Sequence, residues 1–239
     1  MKRMATIVLA HGAWSAGWAW KKMRPLLRAA GHEFFSPTYT GLGERAHLVR
    51  PDIDLSTHIQ DVLAVLEIED LHDVTLLGHS YGGMVATGVA DRAAGRIARV
   101  IYIDAFAPTD GQSLFDLVGP KAEANMRAGA AKDGDGWKLP LNPMPADTAP
   151  EDAAWAVPRR RPQPIKTFEQ KIKLTGTTFP PRHYIYARKN GPGDVFRQFG
   201  ERAKSAPGWS YHEIDASHNP HITCPDVLMK LLSQIMAGR

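Results

Sequence analysis

The chain has 239 residues, 44% of them hydrophobic and 23% charged, a length that fits one domain with a sizeable core. Its net charge of +4 is a mild excess, much of it in Arg159, Arg160 and Arg161 of "VPRRRPQP"; lacking more basic residues and interleaved aromatics, that run reads as a solvated loop, so no nucleic-acid partner is expected. One cysteine, Cys224, excludes an internal disulfide and fits a reducing compartment, and no stretch approaches the roughly 18 apolar residues of a membrane span.

The opening "MKRMATIVLAHGAW" carries two basic residues before an apolar run too short for a secretory signal core, so a cytoplasmic location is expected. That run, "TIVLA" (6–10), is the first of six candidate strands. A helical pattern, "GWAWKKMRPLLRAAG", follows and ends on Gly31 as a C-cap. After "EFFSP" (33–37), "TGLGERAHL" (40–48) is a candidate rim segment. "DLSTHIQDVLAVLEIED" then places Ile59, Val62, Leu63 and Leu66 on one helix face, with Ser56 as its cap. "VTLLG" (74–78) leads into the small-residue helix pattern "YGGMVATGVADRAAG", which ends on Gly95, and "RVIYID" (99–104) is the fourth strand.

Between about residues 108 and 180 the alternation stops, and the chain is rich in Pro, Ala and Gly with weak amphipathic stretches such as "PIKTFEQKIKLTG". It resumes with "HYIYA" (183–187), a helix pattern that Asp194 begins and caps, "SYHEI" (210–214), and a last helix opened by Pro225 and Asp226. The first, third, fourth and fifth strands lack polar alternation, as strands buried on both faces of a parallel sheet do. The expected fold is α/β: a doubly wound, mostly parallel sheet of about six strands with right-handed crossovers. Its core is 1–107 and 181–239, and 108–180 is an inserted small helical cap.

Chemistry concentrates in "VTLLGHSYGGMVA". Gly78-His79-Ser80-Tyr81-Gly82 matches G-x-S-x-G between a strand and a helix, the context of a nucleophile elbow. Gly78 and Gly82 leave room for strand and helix to close around a strained Ser80, and Gly83, Ala86 and Gly88 give the helix a small face. A serine hydroxyl needs a base to take its proton. Of the ten histidines, His218 is best placed, in the loop after the last strand, with His221 as competitor. His212 reads as a packing residue, and His11 and His79 as structural hydrogen-bonders. No histidine pair has metal-ligand spacing with a carboxylate, so no metal is expected. The oxyanion donors are the N–H groups of Tyr81 and, from "AHGAWSAGWAW", Ala13, each worth about 3 kcal/mol in the transition state. Trp14 is the candidate pocket wall, whereas Trp18 and Trp20 pack the first helix.

With these motifs the chain resembles the α/β-hydrolases, and "HGAWSAGWAW" and "LLGHSYGGMVA" resemble the small esterase subgroup of methyl-salicylate-type esterases and hydroxynitrile lyases. The likeness covers 5–107 and 181–238. It implies a Ser-His-Asp mechanism, no cofactor, and small, often aromatic, esters. The lyases tend to carry a threonine after the first-strand histidine and a lysine after the catalytic one. Gly12 and Asn219 stand there, which favours hydrolysis.

The resemblance also puts the triad acid near Lys189 or Asn190, where there is none. Losing the acid costs about 10⁴ in rate, so another carboxylate must serve. Asp194 reads as an N-cap and Asp215 as a turn residue. Asp104 ends the strand expected between the nucleophile strand and "HYIYA", facing the same crevice, and is the chosen acid. The expected function is hydrolysis of a small carboxylic ester, with a hydroxynitrile lyase-like enzyme or a non-catalytic ligand receptor as alternatives.

Overall fold

The computed structural model describes residues 4–176 and 178–238; Lys2 and Arg3 of the opening basic run lie outside them. Its strands are β1 (Thr6–Ala10), β2 (Glu33–Phe35), β3 (Val74–His79), β4 (Ile97–Ile103), β5 (Lys138–Leu139), β6 (Gln163–Pro164), β7 (Arg182–Ala187) and β8 (Trp209–Ile214). Six form one parallel sheet in the order β2-β1-β3-β4-β7-β8. The two faces follow from side-chain alternation along each strand. Ile7, Leu9, Leu77, Ile101, Ile103 and Ile185 pack against the helices Met23–Ala29 and Pro225–Ala237. Val8, Ala10, Leu76, Val100, Tyr102 and Tyr184 face the helices Leu55–Ile68 and Gly82–Arg92 on the other side.

Helix boundaries depart from the sequence reading in four places. Asp54, not Ser56, caps Leu55–Ile68: its backbone is extended and its carboxylate accepts the Thr57 N–H, while the Ser56 N–H goes to Gln170. The first helical pattern splits into a 3₁₀ turn, Gly17–Trp20, and the helix Met23–Ala29, after which Gly31 takes φ +83°. Gly82–Arg92 ends before Gly95, which lies in a separate 3₁₀ turn. The helix expected from Asp194 begins only at Arg197, and Asp194 instead accepts the Phe196 N–H two residues on.

The inserted segment contains the helices Leu114–Val118, Pro120–Asp133, Pro150–Ala156 and Lys166–Glu169. It is not purely helical, because β5 and β6 pair antiparallel; two residues apiece are too short to show a strand period. "PIKTFEQKIKLTG" is helical only over Lys166–Glu169. Beyond it, the Ile172 N–H and C=O pair with Gln112 and Gly111, and the Asp91 carboxylate takes the N–H groups of Thr175 and Gly176. Those partners satisfy backbone groups that a longer helix would have used.

Candidate active site

The carboxyl ends of β3, β4 and β7 meet beneath a cavity of about 670 Å³. At the end of β3 the chain reverses into Gly82–Arg92 through Ser80 at φ +55°, a left-handed conformation that costs a non-glycine residue energy. The turn closes only because its neighbours lack side chains. A Cβ on Gly82 would lie 2.0 Å from the Ala10 carbonyl oxygen, and one on Gly83 would lie 2.0 Å from that of Phe106. The sheet holds Ser80 from both sides: its N–H donates to Ile103 O, and its C=O accepts from Phe106 N–H and Gly83 N–H.

Asp104 follows β4 directly, fully buried at φ +43°, with its N–H bonded to Ile185 O. His218 enters from the loop after β8. Its Nε2 is 2.9 Å from Ser80 Oγ, and its Nδ1 is 2.7 Å from Asp104 Oδ2. Asp104 Oδ1 accepts the Ala187 N–H at 3.2 Å. Two further contacts orient the imidazole: Phe196 stacks on it at 4.7 Å and 13°, and His79 Nε2–H donates to the His218 carbonyl at 2.8 Å. The structure thus brings Ser80, His218 and Asp104 into one hydrogen-bonded line. A serine proton can pass to an imidazole whose tautomer the carboxylate fixes.

His221 does not join that line. It is buried, stacked at 4.8 Å on Trp20, and burial pushes its pKa down to about 3. Burial also lowers His79 well below the ordinary value, with neighbouring His221 and His218 adding to the effect. Asp215 is exposed and paired with Lys189 at 3.0 Å and Arg188 at 3.2 Å; the Lys189 hydrogen bond holds its carboxyl below the usual range. Asp194 sits close by but bonds to Tyr186 Oη, Phe196 N and Asn190 Nδ2.

Ala13 and Tyr81 gain their orientation from the peptides they belong to. Tyr39 N–H donates to His11 Nε2, so His11 Nδ1 carries the proton and donates it to Gly12 O at 2.9 Å. A trans peptide with its carbonyl so engaged turns the Ala13 N–H to the opposite side. The Ser80–Tyr81 peptide is held alike through Ser80 O. Gly12, Ala13 and Ser80 all line the cavity. A Cβ at Gly12 would lie 2.9 Å from His79 Nδ1 and 3.3 Å from Ser80 Cβ, so position 12 has no room for a side chain beside the serine.

Trp14, at φ +57°, lines the cavity and is tied to the inserted segment three times. Its N–H donates to Gln163 Oε1 at 3.1 Å, its indole N–H donates to Leu139 O at 3.1 Å, and its carbonyl accepts from Arg161 N–H at 3.2 Å. Two sequence expectations change here. Trp18 lines the cavity as well as packing, beside buried Trp20, against the core cluster that holds Met23 and Leu27 of the first helix. Arg160 is a cavity wall rather than a solvated loop residue, its guanidinium on Asn142 and 5.8 Å from the Trp14 ring. The candidate rim 40–48 lies away from the cavity, with Arg45 paired to Asp61 at 2.8 Å. Gln163 and Phe196 carry no motif that marks them; only the sheet order and the folded loops bring them to the site. Among the described residues no cluster of His, Cys, Asp and Glu could hold a metal, and no helix is long and apolar enough to cross a membrane.

A family model described as the alpha/beta hydrolase family matches residues 7–231. The chain is 37% identical over 242 residues to a carbendazim hydrolyzing esterase of Nocardioides sp. (strain SG-4G), covering 97% of this chain and 100% of that one. It is 26% identical over 247 residues to a putative chloroplastic methylesterase 11 of Arabidopsis thaliana, covering 95% of this chain and 63% of that protein. In structure it is similar to an extracellular alpha/beta-hydrolase from a Paenibacillus species, described as sharing homology with tobacco Salicylic Acid Binding Protein 2. The TM-score is 0.83 at 24% identity, over 98% and 99% of the two chains.

Proposed function

The chain belongs to the alpha/beta hydrolase family, and we propose that it hydrolyses a small, aromatic carboxylic ester through Ser80, His218 and Asp104. The observation that carries this reading is the line from Ser80 Oγ through His218 to Asp104, at 2.9 and 2.7 Å. Ser80 attacks the ester carbonyl while His218 Nε2 accepts its proton. Asp104 keeps the Nδ1–H tautomer and stabilises the imidazolium without taking the proton itself. The Ala13 and Tyr81 N–H groups receive the oxyanion. His218 then protonates the leaving alcohol, and a water deprotonated by the same imidazole releases the acid from Ser80. The indoles of Trp14 and Trp18 on the cavity wall support an aromatic substrate. Carbamate cleavage runs through the same tetrahedral chemistry.

The test pairs a fluorophosphonate probe with a panel of nitrophenyl esters, aromatic methyl esters and carbendazim. Wild type labels and releases nitrophenol, while Ser80→Ala does neither; equal labelling of the two proteins would remove the serine mechanism. Cyanide release from mandelonitrile would point to the lyase alternative. Ligand binding without labelling or turnover would point to a receptor. Gly12 and Asn219 at the two lyase-specific positions favour hydrolysis.

A further inference from the structure

Asn190, with Lys189, stands near where the family resemblance puts the usual triad acid, and its amide turns back onto the Asp104 carboxylate. Asn190 Nδ2 is 3.1 Å from Asp104 Oδ1, 2.9 Å from Asp104 Oδ2 and 3.3 Å from Asp194 Oδ1. One amide hydrogen therefore serves Asp104 and the other Asp194. Asp194 is itself anchored, its Oδ2 accepting from Tyr186 Oη–H at 2.6 Å and its Oδ1 from Phe196 N–H at 2.9 Å. Phe196 is the residue whose ring stacks on His218.

We propose that Asn190 is a positioning residue for the Asp104–His218 pair, fixing the plane of the buried carboxylate so that Oδ2 stays aimed at His218 Nδ1. The inference rests on the proposed triad. Asp104 is fully buried, and its other donors are the Ala187 N–H on Oδ1 and His218 on Oδ2. An ionised carboxylate has about four lone-pair sites and is costly to bury with them empty. A neutral donor suits position 190, because an aspartate there would set a third carboxylate beside Asp104 and Asp194.

The experiment compares Asn190→Leu, which keeps the bulk, and Asn190→Ala with wild type, Asp104→Asn and Ser80→Ala, using kcat, KM, melting temperature and the pH profile of kcat/KM. Both Asn190 variants are expected to lose about tenfold to 100-fold in kcat, with KM within about twofold and a modest fall in melting temperature from the unpaired carboxylate. Removing a donor leaves more negative charge on the carboxylate to hold the imidazolium, so the acid limb of the profile moves to higher pH. The other ionisable groups facing the pair are His79, His221, Asp194, Tyr184, Tyr186 and, at the rim, Lys189 and Asp147. Of these, only Asp194 loses a contact, the Asn190 amide at 3.3 Å, and it keeps the Tyr186 hydroxyl and the Phe196 N–H. Unchanged kcat and superimposable limbs, with Asp104→Asn inactive, overturn the role of Asn190 and leave the triad standing. Lowered melting with an unshifted limb also overturns it, as a purely structural role. Full activity in Asp104→Asn instead sinks the triad reading beneath it.

Discussion

The crevice at the ends of β3, β4 and β7 and the inserted segment above it are held in contrasting ways. In the crevice the backbone of the sheet fixes the proposed catalytic residues: Ser80 N–H to Ile103 O, Asp104 N–H to Ile185 O, and glycines so closely packed that a methyl group has no space. Above it, long-range side-chain contacts tie the segment to the core, among them Gln163 to Trp14, Lys22 to Asp152, Ser217 to Asp147 and Gln170 to Asp54. A layer whose geometry is set by backbone suits chemistry that fails with a misplacement of about 1 Å. A layer held by replaceable side chains suits a pocket whose shape varies between relatives.

Substitutions and pH separate the two layers. The largest expected effect is in the crevice: Asp104→Asn lowers kcat by about 10⁴, whereas Asp194→Asn lowers it by less than about threefold, measured by nitrophenol release. The reverse order would move the acid to Asp194. Gly82→Ala drives a Cβ into the Ala10 carbonyl and should destabilise the fold by about 3 kcal/mol or more, read from urea denaturation. Acid gives the next contrast. Burial pushes His11, His58 and His221 down to about 3 and lowers His79 well below its ordinary value; His79 and His221 line the cavity, His11 bonds Gly12 and His58 bonds Tyr81. Residues 108–180 contain no histidine. Unfolded histidines titrate near 6.5, so near pH 5 the unfolded chain binds about four more protons from these groups alone. Their neutral burial carries no penalty above pH 6.5. Stability is then lost as pH falls from 6.5 towards 3, and a melting profile flat between pH 7 and 5 would contradict it. The smallest effect lies in the upper layer. Gln163→Ala unpairs the Trp14 N–H and should cost about 1–3 kcal/mol, raising KM more than it lowers kcat.

The same contrast explains what could be read from the chain alone. Buried parallel strands are continuous apolar runs, so β1, β3, β4 and β7 stand out, and the elbow glycines announce a turn that only they permit. Asp104 followed from strand order, since a residue ending β4 opens onto the same crevice as Ser80. The inserted segment offered no such period: β5 and β6 are two residues each, and the stretch after Glu169 is set by bonds to Gln112 and Asp91 far away in sequence. The cavity-facing sides of Trp18 and Arg160 are hidden from the sequence for a related reason. Their surroundings are made by the packing of that segment over the core, which no local pattern encodes. Lys189 and Asn190 stand out as a stretch without the expected acid, but the Asn190 amide acquires meaning only when Asp104, 86 positions earlier, lies within reach.

Trp14 carries a practical consequence for anyone recombining parts of this fold. Its peptide adjoins Ala13, and three of its polar groups end on residues 139, 161 and 163. A segment grafted between β4 and β7 from a relative would inherit this joint only if it brought a side-chain amide for the Trp14 N–H and a carbonyl for the indole. Without them the transplant would seat over an intact serine, yet leave the loop beside that serine without its outer support. Successful chimeras should therefore exchange the first loop and the inserted segment together.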